Sequence, residues 1–261
     1  MQLPRPRHRW TVAPARAVEI QKRLAGEVLH LPLPRPPRLV AGGDAAFTAD
    51  GQSVIAGWIV WDVRLARVVD QVVACRPVTF PYVPGLLSFR EAPALIAAAR
   101  KLSTEPDVFM LDGQGLAHPR RFGLACHVGL FIGRPTLGCA KSRLCGAPRL
   151  DRVSTWSLNA AGFHQPRESR GQSSLHIPQA AIRTLQLSPG SSCPLTDGDE
   201  LLGCALWTRE GAKPVYVSVG HRITLDHAVG VALLCHDRCR LPEPARLAHQ
   251  YVTRRRELTM L

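Results

Sequence analysis

A short apolar stretch, Pro106-Asp107-Val108-Phe109-Met110-Leu111, runs directly into Asp112-Gly113-Gln114-Gly115. No other feature constrains the fold as tightly. A brief apolar run closed by turn residues reads as a buried strand. Phe122 to Ile132, which follows Leu116-Ala117-His118-Pro119-Arg120-Arg121, reads as an apolar helix. Asp112 therefore stands where a strand ends and a helix approaches, the place where open α/β sheets put their ligands. Gly113 and Gly115 lack the Cβ atoms that would keep a ligand from the backbone. His118, Arg120 and Arg121 set positive or proton-transferring groups beside the acid. An acid flanked in this way suits a bound metal ion holding a phosphate.

The rest of the chain supplies neighbours for that strand. Pro14 to Leu29 has the pattern of a helix, and Pro32 to Pro37 is a proline-rich connector. Leu39 to Phe47 and Val54 to Asp62 are strands joined by a turn with Asp50-Gly51 at its centre, which makes them a hairpin. Val68 to Val78 is a third strand, and a helix ending near Leu102 follows the Pro/Gly loop at 82–88. Strands are expected at Thr136–Lys141, Leu201–Thr208 and Pro214–Val219, and helices at Thr224–Cys235 and Pro242–Arg256. Antiparallel hairpin strands, then alternating helices and strands, predict an α/β fold: a mixed sheet with helices on both faces. Residues 146–200 break the rhythm. They are rich in Ser, Gly, Pro and Arg, with a weak helical pattern over Pro178–Leu187. They are expected to form a flexible insertion within a single domain spanning residues 1–261.

Thirty-three Lys and Arg against 20 Asp and Glu give a formal net charge of +13. That excess points to a polyanionic partner, most simply nucleic acid; a merely basic surface is the alternative. The N-terminal ten residues have no apolar core and do not read as a signal peptide. The longest apolar run, Val54 to Trp61, is too short to cross a bilayer, so no membrane partner is expected. No two cysteines show C-x-x-C spacing, and several fall inside apolar patterns. Reduced thiols in an intracellular, cytoplasmic setting are the expectation, rather than a zinc site.

Asp44 lies inside an apolar strand, where a buried carboxylate needs a partner or a metal. A salt-bridged acid near the hairpin is the other reading. Glu91 opens a helix. Ser88-Phe89-Arg90-Glu91 fits the S-x-x-E capping box, so cap and metal ligand are equally good readings. Asp44, Glu91 and Asp112 converging at one sheet edge would make an oxygen site for Mg²⁺. Lys141 closes an apolar strand and could offset phosphate charge, or simply extend to solvent. His118 and His221 could shuttle protons or serve as hydrogen-bonded loop residues. Tyr82 sits between Pro81 and Val83-Pro84, a stiff loop that could present its ring to a base stack, or cap the core.

Taken together, these segments resemble the endonuclease V family, the deoxyinosine 3′ endonucleases. The resemblance is carried by Val40-Ala41-Gly42-Gly43-Asp44, by Phe80-Pro81-Tyr82-Val83-Pro84-Gly85-Leu86-Leu87-Ser88-Phe89-Arg90-Glu91 and by Leu111 to Gly123. It continues through Pro135 to Ser142, Ser218-Val219-Gly220-His221-Arg222 and Leu241-Pro242-Glu243-Pro244-Ala245-Arg246. It covers about Leu39–Gly146 and Leu201–Arg255. The resemblance implies a ribonuclease-H-like fold and a Mg²⁺ site, with Mn²⁺ able to substitute. It implies metal binding by Asp44, Asp112 and Glu91, with Lys141 and His221 in the catalytic surround. Tyr82 would be a wedge beside an extruded base. Pro81, Pro84, Gly113, Gly115, His118 and Arg120 would line the substrate path. Family members act on damaged DNA and cut the second phosphodiester bond 3′ to the lesion. A monomer is expected. Gly43 stands where the family usually has a larger residue. The long 146–200 segment is similar to the animal form, whose members favour inosine-containing RNA. An inosine-specific endoribonuclease therefore remains an alternative, as does an inactive nucleic-acid-binding protein.

Overall fold

The computed structural model describes residues 1–159, 162–168 and 187–258. α1 (Pro14–Ala25) starts on a proline, whose missing N–H costs nothing in a first turn. It stops short of Leu29, because the Leu29 backbone is bonded elsewhere: its N–H donates to His221 and its carbonyl accepts from Arg222. β1 (Leu39–Phe47), β2 (Ser53–Asp62) and β3 (Arg67–Pro77) form an antiparallel meander. α2 (Leu87–Ala99), β4 (Val108–Leu111), α3 (Leu124–Ile132) and β5 (Thr136–Ala140) follow. β4 lies parallel to both β1 and β5, and all four of its residues are buried.

The alternation of side chains along β4 divides the protein into two cores. Phe109 and Leu111 pack with α2 and α3, whereas Val108 and Met110 pack with residues of α4 (Leu225–Leu234) and α5 (Glu243–Leu258). Helices thus cover both faces, as expected of a strand apolar on both sides. β6 (Ala147–Pro148), β7 (Ser154–Leu158), β8 (His164–Glu168), β9 (Ser191–Asp197), β10 (Glu200–Trp207) and β11 (Val215–His221) complete the sheet. Among the described residues its order is β3-β2-β1-β4-β5-β11-β10-β9-β7-β8, with β6 beside β9.

The mixed α/β sheet with helices on both faces matches the expectation, and so do nearly all of its elements. The described part of 146–200 differs, because it contributes four strands. β7 reads Ser-Thr-Trp-Ser-Leu, too polar for its alternation to show. It is anchored by Trp156, whose Nε1–H donates to Ser192 Oγ at 2.7 Å, and the Phe163 ring stacks on His227 at 4.4 Å. The helical pattern over Pro178–Leu187 lies outside the described residues, Leu187 apart.

Two glycines of β1 explain how the sheet meets its neighbours. A Cβ at Gly42 would overlap the Pro244 carbonyl, so α5 lies directly on β1. A Cβ at Gly43 would overlap the buried ring of Trp58, which accounts for the small residue at this position.

Candidate active site

Strand parity brings the polar groups together. Asp44 follows Val40 and Gly42 on the α5 side of β1, Asp112 continues the face of Val108 and Met110, and Lys141 continues that of Leu137 and Cys139. Asp112 and Lys141 emerge just past the carboxyl ends of β4 and β5, and Asp44 lies on β1 one residue past its last pair with β4. Lys141 Nζ lies 2.5 Å from Asp112 Oδ2. A fourth group comes from α5: His249 Nδ1–H donates to Asp44 Oδ2 at 2.7 Å, and the same nitrogen lies 3.3 Å from Lys141 Nζ. One ligand atom from each of Asp44, Asp112 and His249 lies within 4.8 Å of the others.

Glu91 enters from α2. It does not close a capping box, because the helix starts at Leu87 with Leu86 as its cap residue and Ser88 inside the first turn. Ser88 Oγ instead pairs with His127 Nδ1 at 2.9 Å. Burial pushes the Glu91 carboxyl up to about 8, and the charges of Asp44 and Asp112 add to the effect. Asp44 is also raised, first by burial and then by Asp112, against the opposing bond from His249. Three acids therefore share one pocket of charge with too few cations between them. Carboxylate oxygens and one imidazole nitrogen at this spacing fit a divalent cation, which would relieve that repulsion.

Beside the acids opens a cleft of about 430 Å³, walled by Tyr82, Pro84, Gly85, Asp112, Gly113 and Lys141 among others. Val83-Pro84-Gly85-Leu86 forms a β-turn closed by the Leu86 N–H on the Val83 carbonyl at 2.9 Å. Proline in its second position and Gly85 at φ 77° in its third are the signature of a type II turn. Tyr82 is 71% exposed at the rim. The Arg90 guanidinium lies 4.4 Å from the Phe47 ring centroid and 5.7 Å from that of Tyr82. Pro81 precedes the ring without joining the cleft wall.

Several expected site residues are used differently. A Cβ at Gly115 would overlap the Val219 carbonyl, so this glycine serves close packing on β11 rather than ligand access. His118 lines the cleft as expected, but it is buried and both its nitrogens are engaged: Nε2–H donates to Gly85 O and Nδ1 accepts from the Arg120 N–H. Burial, then nearby arginines, lower its pKa to about 4, so it is a neutral loop residue near pH 7. Arg120 bonds to Gln21 and Gly85, and Arg121 pairs with Asp197 and Glu200. Neither guanidinium is left over for the acids. His221 is not brought to the site at all. It pairs with Thr136 at the start of β5, whereas Lys141 follows the end of that strand.

His249 is the residue that sequence reasoning missed. Its signal lay in three places. Ala245, Ala248 and Val252 form the buried stripe of α5, His249 borders it, and Gly42 lets that stripe settle on the strand that carries Asp44.

A mixed sheet with acids at adjacent strand ends, backed by a basic chain, defines a nuclease-type hydrolase site. The comparisons narrow the class. Residues 22–250 match the family model described as Endonuclease V. The Endonuclease V of Roseiflexus castenholzii is 41% identical over 92% of this chain and 92% of its own. The crystal structure of Endonuclease V from Streptomyces avermitilis superposes with a TM-score of 0.77 at 35% identity, covering 97% of this chain and 96% of that one. The Ciona intestinalis Endonuclease V, crystallised with a 24mer DNA containing an inosine followed by a ribo-adenosine, shares the fold. Its TM-score is 0.68 at 23% identity, over 94% of this chain and 98% of that one. The chain belongs to the endonuclease V family and is an endonuclease.

Proposed function

We propose that this enzyme recognises deoxyinosine in DNA and hydrolyses the second phosphodiester bond 3′ to it, leaving 3′-OH and 5′-phosphate ends. The reading is carried by the Asp44–Asp112–His249 cluster, with ligand atoms within 4.8 Å of one another, opening onto a cleft large enough for a base. Asp44, Asp112 and His249 would hold Mg²⁺, or Mn²⁺ in its place, with Glu91 close behind. When bound, such an ion activates water and neutralises charge on the scissile phosphate. Lys141 keeps Asp112 oriented and adds positive charge where the phosphate passes. Tyr82 stands where a ring can fill the gap left by an extruded base, and Gly113 and Pro84 shape the wall it enters. Arginines elsewhere supply phosphate contacts that do not depend on sequence.

The ribo-adenosine after the inosine in the Ciona complex favours inosine-containing RNA as a second reading. None of the described helices is long and apolar enough to cross a membrane, and the eight thiols are free, five of them buried. We read the enzyme as cytoplasmic on that basis, and as a monomer because one copy of the chain carries the whole acid cluster. Matched strands carrying one deoxyinosine, one inosine or neither decide between the readings when incubated with Mg²⁺ and with EDTA. The expected result is Mg²⁺-dependent cutting of the deoxyinosine strand directly after the lesion's 3′ neighbour. Equal cutting of the unmodified strand would overturn lesion recognition.

A further inference from the structure

Gln21 is a buried amide on α1, only 1% exposed. Its Nε2 donates to the Gly85 carbonyl at 3.1 Å and to the Phe122 carbonyl at 3.3 Å, and its Oε1 accepts from Arg120 Nε at 2.6 Å. Both amide hydrogens and the amide oxygen are thus engaged. The Gly85 carbonyl also accepts from Arg120 Nη2 at 2.6 Å and His118 Nε2 at 3.0 Å. A carbonyl oxygen has two lone pairs, so three donors saturate it and hold it away from any ligand. The guanidinium is seated so closely under the turn that a Cβ on Gly85 would crowd it. Tyr82, three residues earlier and largely exposed, takes its direction from the backbone held in this way.

We infer that Gln21 is a positioning residue: by pinning the Val83–Leu86 turn through the Gly85 carbonyl, it aims Tyr82 at the cleft and so sets discrimination for lesion-bearing strands. The inference rests on the wedge reading of Tyr82 given above. A ring held in place before binding loses little freedom when it inserts, whereas a ring on a loose loop must be ordered by the substrate. The residue lines the inner wall of the cleft, but its amide is wholly engaged by Gly85, Phe122 and Arg120 and bonds to none of the acids, so its influence reaches the reaction through the loop.

Two substitutions separate its bonds. Gln21→Met keeps the length and removes every hydrogen bond. Gln21→Glu keeps an acceptor for Arg120 but has no donor for Gly85 or Phe122. Both variants are expected to lose about fivefold to tenfold in the ratio of affinities for deoxyinosine and unmodified duplexes, part of what losing a stacked ring costs. KM should rise while kcat stays within about twofold, because the acids keep their places. Backbone hydrogen exchange at residues 82–86 of the free protein should speed up by about tenfold. Unchanged discrimination and unchanged exchange in both variants would overturn the inference, even if Tm falls. Should Gln21→Met fail to fold, Gln21→Glu alone supplies the comparison, because it loses the donors to Gly85 and Phe122 and keeps the acceptor for Arg120. A wild type that binds both duplexes alike would defeat the deoxyinosine reading, while faster exchange in the variants would still support the brace.

Discussion

The two ends of the parallel strands β1, β4 and β5 are built from similar residues and behave differently. At the amino ends each acid has its own partners. Asp107 accepts from the N–H groups of Arg38 and Leu39, both at 2.9 Å, and lies 3.6 Å from Arg35; Glu105 pairs with Arg134. His221 accepts from the Leu29 N–H. At the carboxyl ends Asp44, Asp112 and Glu91 crowd together around Lys141 and His249, and burial holds Glu91 and Asp44 above the usual carboxylate range despite the charge of Arg90 near Glu91. Acids, cations and a histidine occur at both ends, so residue type does not mark the site. A surplus of buried carboxylates over their partners does, because that surplus is costly until a cation joins it.

The largest test of this contrast removes an acid from the crowded end. Asp112→Ala should lower turnover by about three orders of magnitude, since metal-based charge stabilisation is worth several kcal/mol. Affinity for a deoxyinosine duplex should change by less than about threefold at fixed salt, because phosphate contacts dominate binding. Asp44→Ala should behave alike. Turnover within tenfold of wild type in either variant, measured with Mg²⁺ in excess, would remove that acid from the centre.

Tyr82→Ala probes the cleft rather than the acids, and its effect should be smaller. A base-stacking ring is worth about 1–3 kcal/mol, so lesion affinity should drop by roughly fivefold to 150-fold. Affinity for the unmodified duplex should fall by less than about twofold. Paired titrations at one ionic strength measure both, and an equal loss would make Tyr82 a structural residue.

The smallest effect concerns stability. Glu91 ordinarily titrates near 4.5 and here near 8, so between those values the folded state holds a proton that the unfolded chain has released. Stability must then fall as pH rises through that window and level off above it. In EDTA, the wild-type Tm should decline by several degrees between about pH 5 and pH 8.5, while Glu91→Gln stays flatter. Mg²⁺ should reduce the wild-type decline, because the added cation offsets the crowded charge. Parallel Tm curves for the two proteins would show that Glu91 is not under this strain.

Most of the fold was legible because its signals are local. The apolar run at 108–111, the Asp50-Gly51 hairpin and the proline that opens α1 each specify their own element. Asp112 and Lys141 were legible as polar residues at the ends of apolar strands, and Asp44 as a carboxylate inside one. Gly115, His118 and Arg120 stood in the same motif as Asp112, yet their neighbours come from β11, the Pro/Gly loop and α1. Partners that far along the chain leave no trace in spacing. His221 looked as good as any histidine because it too follows an apolar strand, but β11 runs antiparallel to β5 and delivers it to the wrong end. His249 sits on a helix whose only local mark is a stripe of small residues. The strands between 147 and 197 went unseen because polar residues and prolines mask their alternation.

Those two histidines offer the most direct measurement. His249→Ala and His221→Ala should be compared in single-turnover cleavage of a deoxyinosine duplex, across a Mg²⁺ titration. His249→Ala should lose at least about 10-fold to 100-fold in rate or in Mg²⁺ affinity, because removing a ligand costs no less than removing the outer groups that orient one. His221→Ala should keep its rate within about twofold and lose a little stability instead, because the half-exposed Leu29 N–H exchanges its acceptor for water, worth about 0.5–1.5 kcal/mol. A His221→Ala variant that loses turnover while His249→Ala keeps it would place the chemistry at the other end of the sheet and contradict the account.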